Sequence, residues 1–180
     1  MTPTGWQADV LKFWFGLKPE QHWQTDDALD RQIREQFRDL WSKKRQLPAH
    51  GFLDQALSAL AAVILFDQFP RNMFRGHAEQ FATDPLALGI AGGAVDKGLD
   101  DALEHGERSF LYMPFEHSED IADQNRALIL FTALGDRQFL DFAKKHHAII
   151  ERFGRFPHRN AMLGRTPHAQ EIAAGDIDPF

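Results

Sequence analysis

The chain has no cysteine among its 180 residues, which excludes disulfides, thiol nucleophiles, iron–sulfur ligation and cysteine-based zinc sites. It has a single tyrosine, and sustained period-two alternation is missing, so strands are not expected. Long hydrophobic runs are missing too. The most apolar stretch, Ala56 to Phe66, is far short of the roughly 20 residues that span a bilayer and is bracketed by Asp54 and Asp67. No membrane span is expected, and the stretch reads as a buried helix. The opening MTPTGWQADVLKFWFG lacks a basic start followed by an apolar core, so a secretory signal is not expected and the cytoplasm is the expected location. Basic residues are outnumbered, 20 against 26 acids, giving a net charge of −6 that makes nucleic acid an unlikely partner. Phosphate-loop and dinucleotide fingerprints are absent: Gly89, Gly92 and Gly93 follow no strand and read as close-packing positions on a helix. No nicotinamide, flavin or haem signature is found, and the cofactor stays unknown.

What is present is helical periodicity nearly throughout. Val10, Leu11, Trp14 and Phe15 mark a first helix ending near Gly16. Thr25 or Asp26 caps a second carrying Leu29, Ile33, Phe37, Leu40 and Trp41. A third, from about Gly51 to Asp67, is apolar enough to be central. Asp84 with Pro85 starts a fourth running to about Gly98, and Pro114 starts a fifth running to Thr132. After Gly135, Asp136 caps a last long helix with a stripe of Phe139, Phe142, Ile149, Ile150 and Phe153, closed by Gly154. An all-α, single compact domain of helix packed on helix over 1–180 follows. One echo stands out: DQFPRN (67–72) and GRFPHRN (154–160) both place Phe-Pro and then Arg-Asn after a helix, which points to a repeated hairpin unit.

Three polar groups could carry chemistry. Asp67, Gln68, Arg71, Asn72, Arg75 and His77 follow the apolar third helix, where a buried Asp67 needs Arg71 or Arg75 as its partner. The arginines could instead hold an acidic ligand. In the second group, Pro114 at a helix start puts Glu116 in the first turn, with Asp120 one turn on and Asp123 and Gln124 beyond. That spacing suits a divalent ion or a carboxylate pair of split pKa, and His117 with Asp120 suits a His–carboxylate pair. An ordinary acidic surface is the plain alternative. The third group gathers His146, His147, Arg152, Arg155, His158, Arg159 and Asn160. His146 continues the apolar stripe and reads as a hydrogen-bonded core residue, or as one that meets Glu116 or Asp120 across a helix interface. Adjacent His146 and His147 diverge by about 100° and make a poor pair of ligands for one ion. Ser118, beside His117 and Glu119, lacks the facing geometry of a triad.

The segments VLKFWFG (10–16), LFDQFPRNMFRGHAEQFATDPLAL (65–88), RSFLYMPFEHSEDIADQ (108–124) and HHAIIERFGRFPHRNAMLGR (146–165) together resemble the bacterial domain-of-unknown-function family number 924, over about 7–175. The resemblance implies a tetratricopeptide-like helical fold of packed hairpins, although the regular 34-residue signature is missing. It implies no activity, and it places Asp67, Arg71, Asn72, Glu116, His117, Asp120, Gln124, His147, Arg155, Pro157, His158, Arg159 and Asn160 within the defining motifs.

Three functions are compatible with these residues. The first is binding of an anionic small molecule or peptide in an interhelical cleft, with Asp67, Arg71, Asn72, Arg75, Gln124, Arg155, His158, Arg159 and Asn160 as its contacts. The second is acid–base or metal-assisted catalysis by Glu116, His117, Asp120 and His147. The third is a scaffold in which the polar motifs pair with one another, in a compact bundle or a homodimer.

Overall fold

The computed structural model describes residues 5–175 and 177, so the first four residues of the opening segment lie outside it. Nine α-helices occur among these residues, and no strand. Helix α1 is Trp6–Phe15, α2 Asp27–Lys44, α3 Ala56–Val63, α4 Phe69–Met73, α5 Asp84–Asp96, α6 His105–His117, α7 Ile121–Leu134, α8 Arg137–Phe153 and α9 Ala169–Ala174. None is long and apolar enough to cross a membrane.

Local chemistry explains several boundaries. Asp26 accepts hydrogen bonds from the Ala28 and Leu29 amides and starts α2, and Asp136 does the same for Gln138 and Phe139 at α8. Gly135 and Gly154 close α7 and α8 at φ 80° and 70°, where a side chain would be strained. Residues Ala59 to Val63 of α3 are wholly buried, so α3 is the axis on which α1, α5 and α6 pack. The aromatic side chains of Trp14, Phe66, Phe69, Phe115 and Phe131 are buried in the same hydrophobic core. At Gly93 a Cβ would meet the flexible tip of the Leu53 side chain, and at Gly89 it would touch Ala49, so both are close-packed positions. Gly92 meets open space, so close packing does not explain it.

Three helix starts differ from the sequence reading, the first being α3, which begins at Ala56 after a separate turn at Ala49–Phe52 and not near Gly51. Pro114 does not open a helix but lies inside α6, and α7 starts at Ile121 with Asp120 as its cap. Glu116 therefore sits in the last turn of α6. Proline removes one amide donor, a loss outweighed here by burial of Phe110, Leu111, Tyr112, Met113 and Phe115 on the same helix. Asp84 is not a cap either: Thr83 holds that position, and the Asp84 carboxylate turns inward.

The third helix does not stop at Asp67. It widens into a π-turn, Ile64–Gln68, and continues as α4. Pro70 has no amide hydrogen for the Phe66 carbonyl, and Thr83 Oγ1 donates to that carbonyl instead, at 2.6 Å. Trp41 Nε1 donates in turn to Thr83 Oγ1 at 3.1 Å, tying α2 to the same point. Asp67 lies in the widened turn, fully buried and facing α6.

Candidate metal centre

The site is assembled where the π-turn, the end of α6 and the middle of α8 meet. His117 Nδ1 lies 2.8 Å from Asp67 Oδ1. Gln68 Nε2 donates to Asp67 Oδ2 at 2.6 Å, and Arg71 Nη1 stands 3.3 Å from Oδ1. Burial alone would raise the Asp67 pKa. The Arg71 charge and the His117 contact overcome it and hold the carboxyl below its ordinary value. Arg71 also donates to the Asp67 carbonyl and forks onto Asp84 through Nη1 and Nη2, at 3.0 and 3.1 Å.

These contacts fix two tautomers. A carboxylate can only accept, so His117 Nδ1 carries the hydrogen. Burial and the neighbouring Arg71 charge lower the His117 pKa, so the ring is neutral and Nε2 holds the lone pair. His146 Nδ1 donates to the Phe142 carbonyl at 2.9 Å, and burial lowers its pKa to about 3. Its Nε2 is likewise a lone-pair site. Glu116, His117 and His146 each bring a ligand atom into a group lying within 4.8 Å of one another. Glu116 is 5% exposed, and its Oε2 is buried with no hydrogen-bond partner. Burial, then the Asp67 charge, push its pKa up to about 8. Gln124 Nε2 ties down the end of α6 by donating to the Glu116 and Ser118 carbonyls, at 2.6 and 2.7 Å.

An open cleft adjoins this cluster in two parts. One, of about 430 Å³, is lined by Arg71, Arg75, His158 and Arg159 together with Phe81, Met113 and Met162 among others. The other, of about 370 Å³, contains Glu116 and is otherwise mainly apolar, walled by Phe139 and Phe142. Trp23, Met113 and His146 belong to both.

The sequence candidates thus fall into separate places. Asp67, Arg71, Glu116 and His117 meet in one cluster, with His158 and Arg159 on the cleft beside it. Asn72 and Arg75 also reach the cleft but spend their polar atoms on Asp30 of α2, at 2.7 Å and 2.6 Å. Arg155 and Asn160 hold Glu171 of α9, at 2.7 and 3.1 Å. Asp120 is an exposed helix cap, and His147 Nε2 contacts Asn125 Oδ1 at 2.9 Å, so neither joins the cluster. The two Phe-Pro echoes have parallel roles: each Asn, with a nearby Arg, grips an acid on another helix, and Arg71 and Arg159 both face Asp84.

Residues 10–174 match the family described as bacterial protein of unknown function, DUF924. The chain belongs to the DUF924 family. Its fold is also similar to the structure of ATU0120, a protein of unknown function from Agrobacterium tumefaciens, at 43% identity and a TM-score of 0.85, covering 93% of this chain and 95% of that one. No curated protein matches the chain.

Sequence reasoning did not single out Trp23 or Glu171, and it read Asp84 only as a helix cap. The signal available for Asp84 was its place between two Arg-bearing motifs, which becomes meaningful only when both arginines are known to converge on it.

Proposed function

We propose that this DUF924 protein is a metal-assisted acid–base enzyme for a small anionic substrate, its divalent ion held by Glu116, His117 and His146. The observation that carries this reading is the convergence of their ligand atoms within 4.8 Å around a buried Glu116 oxygen that has no protein partner. Two imidazoles and one carboxylate form the donor set of many catalytic zinc sites, which keep a further position open for water or substrate. A zinc-class ion bound there would supply Lewis acidity and acidify a water.

The chain's own residues support such an ion from behind. Asp67 sets the His117 tautomer and the Phe142 carbonyl sets that of His146, the outer partners that ligating histidines need. Charge fits as well. With Glu116 ionised, the carboxylates of Asp67, Asp84 and Glu116 exceed the guanidiniums of Arg71 and Arg159 by one, and a divalent ion turns that excess into a net positive charge. An anion is the natural ligand for the remaining position.

The test is metal analysis of protein purified without chelator or affinity metal, followed by titration of the chelator-treated protein with Zn²⁺, Co²⁺ and Mn²⁺. The expected result is about one ion per chain, bound at least tenfold more weakly by His146→Gln and Glu116→Gln. Folded protein that carries no ion and shows no saturable uptake overturns the reading. A second reading, binding of an anionic molecule without catalysis, is favoured by the arginine-lined part of the cleft. It predicts saturable anion binding by chelator-treated protein without metal-dependent turnover.

A further inference from the structure

Arg159 is the least satisfied cation on the cleft. It is 7% exposed, its Nε has no hydrogen-bond acceptor, and the nearest carboxylate oxygen, Asp84 Oδ2, stands 3.8 Å from Nη1. Asp84 is already engaged by both Nη atoms of Arg71. The Arg159 guanidinium lies over the rings of Phe81 and Phe156, at 4.6 and 4.4 Å from their centroids, contacts that position it alongside the long Asp84 pair. The adjacent His158 has a buried Nδ1 without a partner and lines the same cleft. A buried cation with spare donors costs free energy unless something completes it.

The other part of the cleft has the opposite character. Trp23 is 55% exposed, stacks on Phe110 at 5.9 Å, packs edge-on to Phe139, and forms a rim shared by both parts. Phe139, Phe142 and Met113 continue the apolar wall, and Glu116 and His146 lie along it. A ligand spanning the whole space therefore meets cationic donors at one end and aromatic surface at the other, with the Glu116–His117–His146 cluster alongside.

We infer that the cleft takes a small molecule with a single carboxylate on an apolar body about the size of an aromatic ring, the carboxylate on Arg159 and the body against Trp23, Phe139 and Phe142. The choice of a singly charged carboxylate over a phosphate monoester follows from Asp84, whose negative charge sits 3.8 Å from the same guanidinium and opposes a second ligand charge. The inference rests on the proposed function only in placing the reacting group beside the metal cluster, since binding by Arg159 needs no ion.

The test uses 4-phenylbutanoate, its neutral amide 4-phenylbutanamide, and phenyl phosphate, titrated by calorimetry and tryptophan fluorescence into chelator-treated and Zn²⁺-loaded protein. The carboxylate is expected to bind at least about tenfold more tightly than the amide and the phosphate, the size of one lost charge-assisted hydrogen bond. Trp23→Phe is expected to remove the fluorescence response while calorimetric binding remains. Arg159→Gln should erase the preference over the amide, and the wild-type comparison of acid with amide stands if that variant fails to fold. Equal affinity for acid and amide, a preference for the phosphate, an acid preference that survives Arg159→Gln or vanishes on metal removal alone, or no saturable binding in either state overturns the inference. Carboxylate preference in a protein that takes up no metal upholds this inference and removes the metal centre. Metal uptake without the preference does the reverse.

Discussion

His117 and Asp67, fifty positions apart in the chain, are joined by a 2.8 Å contact between Nδ1 and Oδ1, and this contact puts the hydrogen of the neutral ring on Nδ1 and its lone pair on Nε2. It links the π-turn after α3 to the last turn of α6. The Asp67 carboxylate holds the imidazole in one tautomer while Arg71 keeps it ionised.

Replacing Asp67 by Asn should therefore weaken metal uptake about 10- to 100-fold, the usual effect of losing an outer carboxylate. Arg71 keeps its fork onto Asp84, so its charge is not stranded and the stability loss should stay at about 1–3 kcal/mol. Co²⁺ titration and urea denaturation of the same variant separate the two effects. Unchanged affinity in a folded protein would show that Asp67 is a packing residue only.

Thr83→Val isolates the device that lets the chain carry Pro70 within a helical run. The substitution keeps shape and removes the hydroxyl, leaving the Phe66 carbonyl and Trp41 Nε1 without their partner. Both are buried, and a loss of about 1–3 kcal/mol is expected from denaturant unfolding. The exposed Thr132→Val should change stability by less than about 0.5 kcal/mol.

How much of this was legible beforehand depended on how local the controlling chemistry was. Asp26 and Asp136 cap helices with their own side chains, and Gly135 and Gly154 end them by φ alone, so one residue announced each boundary except the first, where Thr25 and Asp26 were both candidates. Pro114 announced the wrong one. The same residue type serves a helix start or a helix interior, and the burial that settles the matter comes from other helices. The all-helical fold and the family were readable from periodicity and linked motifs, whereas the site was readable only in pieces. The stripe of α8 showed that His146 points inward, but which acid it meets depends on how α8 lies against α6. Glu171 gave no sign at all, since its partners Arg155 and Asn160 precede it by more than ten residues across a turn.

Glu171 should dominate the acid sensitivity of the C-terminal region. The Arg155 hydrogen bond, the His168 amide and Asn160 lower its pKa from 4.5 to about 2. Because the folded-state value is the lower one, the stabilisation is complete above pH 4.5 and is lost as pH falls from there toward 2. Glu171→Gln should be less stable than the parent at neutral pH and should lose less on acidification between those limits. Thermal midpoints measured from pH 7 to pH 2.5 test this, and parallel pH profiles for parent and variant would contradict it.

Glu116→Met offers the sharpest separation between a functional and a scaffolding role for the cluster. A carboxyl whose Oε2 is buried without a partner costs stability, and Met fills a similar volume with no polar atom to satisfy. If Glu116 serves a bound ion, the metal-free variant should be more stable than the metal-free parent by about 1 kcal/mol or more, and metal uptake should fall below detection. The Zn²⁺-induced rise in the thermal midpoint should disappear with it, because a ligand stabilises a fold only to the extent that the folded state binds it. A scaffolding Glu116 reverses the first result: the variant then unfolds at lower denaturant than the parent whether or not Zn²⁺ is present. Urea titrations of both proteins, with and without Zn²⁺, give the four midpoints that decide between these outcomes.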